Sequence, residues 1–388
     1  MKLLLIITEY GSFNNFLSDL SVDMVSKGHE IHVICSRDMI IKRDDKYPYL
    51  DIGIKFHFIT FPRGFNILDH YKASKKIHEI IENIKPNLIN VHFSTAAFTT
   101  LFLKKSKIIT LGTFHGLGYT VAKNIKRRLL FYVVERFCFF RLDQIWLLND
   151  FDLDIVNKIY PNKTFKFKSL GLGCDPEVFS KGRFSKQDDN YLKNKLGVKN
   201  DEFVLSYTGR FVDFKGYSIV TKTFDLICKD HKDLKLKLIL IGGHDPLHSS
   251  GLTEDEELNL LKNPNIIWIG FTSDVAKYLS ITNIFVFPSI KEGMPLCILE
   301  ALSMGVPVIT SGARGCVDLV KHKVTGFVLS PKPGINELYE AIIELFNQPE
   351  LIINLKNNIL LERDNYDKRH YILEQQEIYN DVIDKITF

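Results

Sequence analysis

Short apolar runs alternate with longer amphipathic ones along the whole 388-residue chain. In the first half, runs of strand length lie at 3–8, 31–35, 55–60, 88–92, 107–113, 144–148 and 167–170. Helical periodicity fills stretches between them, as at 15–27 and 67–83. The second half repeats the scheme, with strands at 203–209, 235–241, 266–269, 284–288, 308–310 and 327–329. Helices are predicted there at 217–229, 275–281 and 335–346. Such alternation predicts parallel sheets covered by helices on both faces. Because it happens twice, the expected fold class is α/β with two doubly wound, Rossmann-like domains, residues 1–178 and 179–365. A last helix, 366–388, is expected to cross back to the first domain. The linker falls in 171–190, where Gly, Pro and charge cluster without period. Ligands of such sheets bind beyond the carboxyl ends of the strands, here in a cleft between facing domains.

Composition narrows the class. Hydrophobic residues make up 45% and charged residues 25%, the balance of a globular protein. No apolar run approaches the roughly 18 residues of a membrane span. The start, "MKLLLIITEY", holds only six apolar residues before Thr8 and Glu9 and is read as a first buried strand. Six scattered cysteines form no CxxC pair, which fits a reducing cytosol, and the histidines show no metal spacing.

Charge changes the picture more. The net charge of +4 is uneven: residues 1–178 hold 25 Lys/Arg against 18 Asp/Glu. Within them, 101–150 holds nine basic and three acidic residues. A basic half suggests an anionic partner, whether membrane surface, phosphorylated substrate or nucleic acid. The stretch 123–140 joins Lys123, Lys126, Arg127 and Arg128 to aromatics. Its basics are not interleaved on one face and no RNA motif accompanies them, so nucleic acid is not expected. A core helix with a solvated start and an anionic membrane contact both stay open.

The candidate chemistry gathers in the second half. In "SIKEGMPLCILEALSMG", Glu300 sits in a helix that is otherwise apolar nearly all round, and Glu292 precedes it by eight residues. A buried carboxylate is costly unless something meets it. Pro295 suits the helix start, and the loop before it delivers free backbone N–H groups at a helix N-terminus, which favours phosphate. Two readings of the pair stay open: backbone partners and solvent, or the hydroxyls of a ligand. "YTGRFVDFKG" places Arg210 and Lys215 after the strand at 203–209, cations suited to a diphosphate. Gly242 and Gly243 form a turn after the next strand, and Phe271 ends another, either as a core aromatic or as the wall of a base. "NDFDLD" has Asp-x-Asp spacing, but it follows a strand and opens a helix, so capping is the expected job.

In this order these stretches resemble the GT-B glycosyltransferases of family 4. "TGRFVDFKG" resembles the family's diphosphate-binding Arg and Lys. "PSIKEGMPLCILEALSMGVPVI" resembles its pair of glutamates, "TFHG" its N-terminal histidine motif at His115, and "GLGCDPEVF" its interdomain segment. The resemblance implies a retaining transfer of a hexose or N-acetylhexosamine from a nucleotide sugar, expected to be a UDP-sugar. The acceptor would be lipid-linked or saccharide, in polysaccharide, O-antigen or capsule assembly. It implies that Glu300 holds the ribose and Glu292 lies against the transferred sugar. The backbone of Gly293, Met294, Pro295 and Leu296 would meet sugar hydroxyls and phosphate, and His115 would meet the sugar near the reacting centre. Where the family often pairs glycines after the first strand, this chain has only Gly11. "GARGCVDLV" and "TFHGLGYT" resemble the branch that builds bacterial surface polysaccharides, with Val317 in place of a second basic residue. Neither metal nor other cofactor is expected. The expected place is the cytoplasmic face of the inner membrane, peripherally. GDP-mannose transfer, nucleotide-sugar epimerisation and a non-catalytic sugar-nucleotide-binding membrane scaffold are the alternatives. The oligomeric state is not indicated.

Overall fold

A computed structural model describes residues 1–37, 48–62, 64–122, 124–245 and 250–387. The chain divides into two compact units, Met1–Gly171 with Tyr371–Phe388, and Leu172–His370. The division falls seven residues before the expected 178. The reason is local: Cys174 donates its N–H to the Tyr366 carbonyl (2.7 Å) and accepts from the Lys368 N–H (3.0 Å), which ties the Gly-rich segment into the second unit.

The first unit is built on seven parallel strands: β1 (Lys2–Glu9), β2 (Glu30–Ser36), β3 (Lys55–Phe58), β4 (Leu88–His92), β5 (Thr110–Phe114), β6 (Gln144–Leu147) and β7 (Thr164–Lys166). Their order is β3-β2-β1-β4-β5-β6-β7. The central strands are apolar on both faces because helices cover both; Leu4, Ile6, Ile89 and Val91 are fully buried. The helix Ile67–Ile84 presents Ile77 and Ile81 to that core, starts at a capping Asn66 side chain and ends at Lys85 in left-handed conformation. From Tyr371 onward the last helix belongs to this unit. There the buried Tyr379 hydroxyl accepts from Asn90 on β4 at 2.7 Å.

The second unit has six parallel strands: β8 (Phe203–Thr208), β9 (Leu236–Ile241), β10 (Ile266–Gly270), β11 (Ile284–Phe287), β12 (Val308–Thr310) and β13 (Gly326–Val328). The order β10-β9-β8-β11-β12-β13 repeats that of the first unit. In each unit the chain reverses its direction of strand addition beside the first strand, opening a crevice at the carboxyl ends of β1 and β4, and of β8 and β11. Several predicted ends shift by one to three residues, as at Lys55–Phe58 and Thr110–Phe114, and two elements differ more. The strand expected at 167–170 lies at Thr164–Lys166; Phe167 makes a last bond to the Leu147 carbonyl at 3.2 Å, and its ring packs on Tyr371 at 5.1 Å. The helix expected at 15–27 is two helices, Tyr10–Phe16 and Ser18–Ser26, broken at Leu17.

Candidate active site

In the second unit, β8 runs into Gly209 and Arg210, a single turn at Asp213–Lys215, and then the helix Tyr217–Asp230. The buried Tyr207 hydroxyl lies 3.2 Å from the Arg210 carbonyl and shapes this loop from beneath. The loop after β11 is stapled to it: Ile290 N–H donates to the Phe214 carbonyl at 2.9 Å, and Ser289 Oγ lies 3.0 Å from the same oxygen. Across this crevice Lys215 Nζ meets Glu292 Oε1 at 2.6 Å, and Ser289 Oγ donates to that same oxygen at 2.6 Å. The pair is nearly enclosed, with side chains 18% and 9% exposed. Arg210 is half exposed, and its Nη1 bonds Asp245 Oδ2 at 2.6 Å. The sequence presents both cations as open to a diphosphate, whereas the fold matches each with a carboxylate. Arg210 has five donor hydrogens on a planar fork, so the bond to Asp245 uses only part of its capacity.

Two glycines are set by close approach. Gly242 has φ +113°, and a Cβ there would overlap the Gly209 carbonyl. Gly315 has φ +78°, and a Cβ would overlap the Gly293 carbonyl. Gly315 follows Arg314, whose Nε donates to the Glu292 carbonyl at 2.9 Å, so the loop after β12 braces the acidic loop. Gly293, Met294, Pro295 and Leu296 form the approach to the helix Leu296–Ser303, with Pro295 as its N-cap. Glu300 lies in that helix, partly exposed, and its carboxylate accepts no hydrogen bond from the described residues. Burial pushes its carboxyl up to about 7. Phe271 is not a core aromatic: it is 73% exposed, with its ring beside Gly243.

In the first unit, His115 follows β5 and His92 ends β4. His92 Nδ1 and His115 Nε2 are 3.1 Å apart. Burial pushes His115 down to about 3 and His92 well below the ordinary histidine range, so both rings are neutral. His115 Nδ1 and His92 Nε2 have no hydrogen-bond partner among the described residues. Gly11 is in the first turn of the helix Tyr10–Phe16 rather than in a glycine loop. In "NDFDLD", the Asn149 side chain caps its helix by accepting from Asp152 N–H at 2.9 Å, and Asp150 pairs with Lys166 at 2.6 Å. No group of three or more His, Cys, Asp or Glu among the described residues is arranged to hold a metal ion.

The basic segment forms the helix Ile125–Arg141. Lys123 lies outside the described residues, and Lys126, Arg127 and Arg128 are exposed. Ile125, Leu129, Val133 and Phe140 are exposed as well, at intervals that place them along one side. The inner side buries Val134, Glu135, Cys138 and Phe139. No helix among the described residues is long and apolar enough to cross a membrane.

Sequence reasoning passed over Asp245, Ser289, Arg314, His92 and Glu135. Arg314 and Ser289 follow predicted strands and were legible by position. Asp245 and His92 also stand at or just after predicted strand ends, but their partners, Arg210 and His115, are distant in sequence; Glu135 lies on a helix whose inner side only the fold shows.

The family described as "Glycosyl transferases group 1" matches residues 188–360, and "Glycosyltransferase Family 4" matches 14–157. The capsular polysaccharide biosynthesis glycosyltransferase CapM of Staphylococcus aureus is 28% identical over 91% of this chain and 90% of its own. The UDP-Gal:alpha-D-GlcNAc-diphosphoundecaprenol alpha-1,3-galactosyltransferase of Escherichia coli is 25% identical over 80% and 79%. In fold, the sucrose-phosphate synthase of Thermosynechococcus elongatus superposes with a TM-score of 0.80 at 19% identity, covering 99% of this chain and all of that one. The two family matches fall one on each unit and together take in most of the sequence, and the chain belongs to the family 4 (group 1) glycosyltransferases, with their GT-B pair of Rossmann-like domains.

Proposed function

We propose that this glycosyltransferase is a retaining, metal-independent enzyme that moves a hexose or N-acetylhexosamine from a UDP-sugar to a lipid-linked saccharide during surface-polysaccharide assembly. The observation that carries this reading is the Lys215–Glu292 pair, with Arg210 beside it, at the carboxyl ends of β8 and β11. Two cations and a helix N-terminus suit a departing diphosphate, and two carboxylates suit sugar and ribose hydroxyls. The name of the Escherichia coli relative supports a UDP-sugar donor and a lipid-linked acceptor, and that of CapM supports the polysaccharide setting. The exposed Phe271 ring beside Gly243 is assigned to the base.

No side chain here stands out as a covalent nucleophile. In the step we assign, the acceptor oxygen bonds to the anomeric carbon on the face that the diphosphate leaves. The anomeric C–O bond to the diphosphate breaks, and the acceptor proton passes to the departing phosphate oxygen. Arg210 and Lys215 stabilise the charge that develops there, and loss of one such group costs roughly 3–4 kcal/mol in the barrier. His115, held neutral by burial, is assigned a hydrogen bond to the reacting sugar rather than an ion pair.

The helix Ile125–Arg141 is assigned to an anionic membrane surface, which would bring a lipid-linked acceptor to a protein working peripherally at the cytoplasmic face of the inner membrane. Exposed Ile125, Leu129, Val133 and Phe140 supply the apolar side, and Lys126, Arg127 and Arg128 are each worth about 1 kcal/mol near anionic lipid.

The test incubates the purified protein with a panel of UDP- and GDP-sugars, with and without undecaprenyl-diphosphate saccharides, in excess chelator. Slow hydrolysis of a UDP-sugar alone, and a product retaining the donor's anomeric configuration by NMR, are expected. Inversion, activity that returns only with Mn²⁺, or a preference for GDP-mannose would each overturn the corresponding part. Co-sedimentation with anionic vesicles is expected to fall with salt and with Lys126→Glu/Arg127→Glu/Arg128→Glu. Binding indifferent to both would remove the membrane assignment.

A further inference from the structure

One buried carboxylate outside the proposed donor site ties together the two strand ends that carry the histidines. Glu135 is on the inner side of the helix Ile125–Arg141 and is 0% exposed. Its Oε1 accepts from Ser94 Oγ–H at 2.6 Å and from Gly118 N–H at 2.7 Å, and its Oε2 accepts from Tyr119 N–H at 3.3 Å. Ser94 stands two residues beyond His92, and Gly118 three beyond His115. None of these partners is a cation. Burial, reinforced by the neighbouring Asp152, raises the Glu135 carboxyl above the ordinary glutamate range. An apolar side chain would avoid that cost but would leave the Gly118 and Tyr119 N–H groups and the Ser94 hydroxyl without this acceptor. What an acceptor supplies is direction, and here the bonds run to the first turns of the helices that follow β4 and β5, Phe93–Leu101 and Gly118–Val121.

The first of these helices begins in unusual backbone. Phe93, between His92 and Ser94, has φ +70°, a region that bulky residues rarely adopt. Such outliers persist only where the surroundings over-determine them. The Ser94–Glu135 bond is one such restraint. The consequence is a placement: the Phe93 ring lies on His115 with centroids 4.4 Å apart and planes 29° from parallel, and Phe16 closes from another side at 4.8 Å. Glu135 also sets the far end of the His115 loop, where a Cβ on Gly118 would press into Phe131 of the same helix.

We infer that Glu135 positions His92 and His115 as one hydrogen-bonded unit, in which His92 holds the orientation and tautomer of His115. Two neutral rings share one proton between His92 Nδ1 and His115 Nε2. If His92 donates it, His115 carries its own proton on Nδ1 and offers a donor there. If His115 donates it, its Nδ1 offers a lone pair. The partner ring therefore decides which kind of hydroxyl contact His115 makes. Glu135 and His92 are positioning residues: they act through His115. The inference rests on the assignment of His115 to the reacting sugar.

The experiment uses the full chain with histidine rings labelled with ¹⁵N. Glu135→Gln replaces one acceptor oxygen by a donor, and Ser94→Ala removes one bond with little risk to the fold. His115→Ala is the reference. Glu135→Gln is expected to lower kcat for UDP-sugar turnover at least tenfold, and Ser94→Ala about threefold. In both, the Kd for UDP should stay within twofold of wild type and the His115 ring signals should shift. Ser94→Thr, which keeps the hydroxyl, should restore kcat. Unchanged kcat in Ser94→Ala together with unmoved ring signals would overturn the inference, whether or not Glu135→Gln folds. If His115→Ala itself turns over like wild type, the assignment of His115 falls and the inference with it. If His115→Ala loses turnover while the Glu135 and Ser94 variants keep it, only the inference falls.

Discussion

In both units the first strand lies beside the fourth, and in both the candidate chemistry stands at the carboxyl ends of central strands. What stands there differs. Beyond β4 and β5 the first unit holds two neutral, buried imidazoles and uncharged hydrogen bonds to a carboxyl group. Beyond β8 and β11 the second holds matched charges, Lys215 with Glu292 and Arg210 with Asp245. A shared topology thus fixes where a ligand is met, and the local dielectric and pairing fix how. A nucleoside diphosphate needs charge, and charge in a crevice must be paired to be kept there. A sugar hydroxyl needs direction, which neutral donors and acceptors supply without the desolvation cost of an ion.

The sharpest way to break this contrast is Lys215→Met. It leaves Glu292 enclosed without its cation, and losing one partner of a buried pair costs about 3–5 kcal/mol. Thermal unfolding should show that loss, and UDP-sugar turnover should fall by roughly a hundredfold or more. An unchanged melting temperature with normal turnover would mean that the second unit does not depend on paired charge.

Glu300 tests the contrast from within, since its carboxylate has no hydrogen-bonding partner among the described residues. Its folded pKa, about 7, lies above the ordinary value of 4.5. The folded chain therefore holds the proton more tightly than the unfolded chain. The stability this contributes is complete below pH 4.5 and is lost as pH rises through 7. Glu300→Gln lacks this dependence. Denaturant titrations should show the wild type losing up to about 3 kcal/mol relative to the variant between pH 4.5 and 8. A constant difference across that range would show the carboxyl to be ordinary.

A smaller effect separates the two acids. Glu300→Ala should weaken UDP about tenfold, or about 1.4 kcal/mol, whereas Glu292→Ala should chiefly lower turnover. Calorimetry with UDP decides it: equal losses of affinity would merge the two roles.

Much of this was legible in the chain. The strand at 88–92 and the strand at 308–310 were predicted to the residue, since an apolar run between turn signals reports its own burial. Arg210, Lys215 and Glu292 were legible because each loop follows directly from a strand, and Glu300 because it is a lone acid in an apolar helix. Their pairings were not. Lys215 and Glu292 are 77 residues apart, and Arg210 and Asp245 are 35 apart. Periodicity describes an element and says nothing of which strand will lie beside it. Glu135 was hidden for a related reason: in a basic, aromatic helix one acid reads as a solvated charge, and only the fold shows it turned inward. The strand misplaced to 167–170 shows the opposite error, since apolar Phe167 serves the last helix and the more polar Thr164–Lys166 pairs in the sheet.

The Asn90–Tyr379 bond spans 289 residues. During synthesis the seven strands of the first unit are complete long before its last helix exists. At roughly 5–20 residues per second the wait is about 10–40 s. Through that interval the nascent sheet lacks its closing cover, and Asn90 lacks its final partner. Early termination of translation near residue 370 would therefore injure the first unit, made earliest, while sparing the second. The order in which this chain is born is not the order in which its parts are finished.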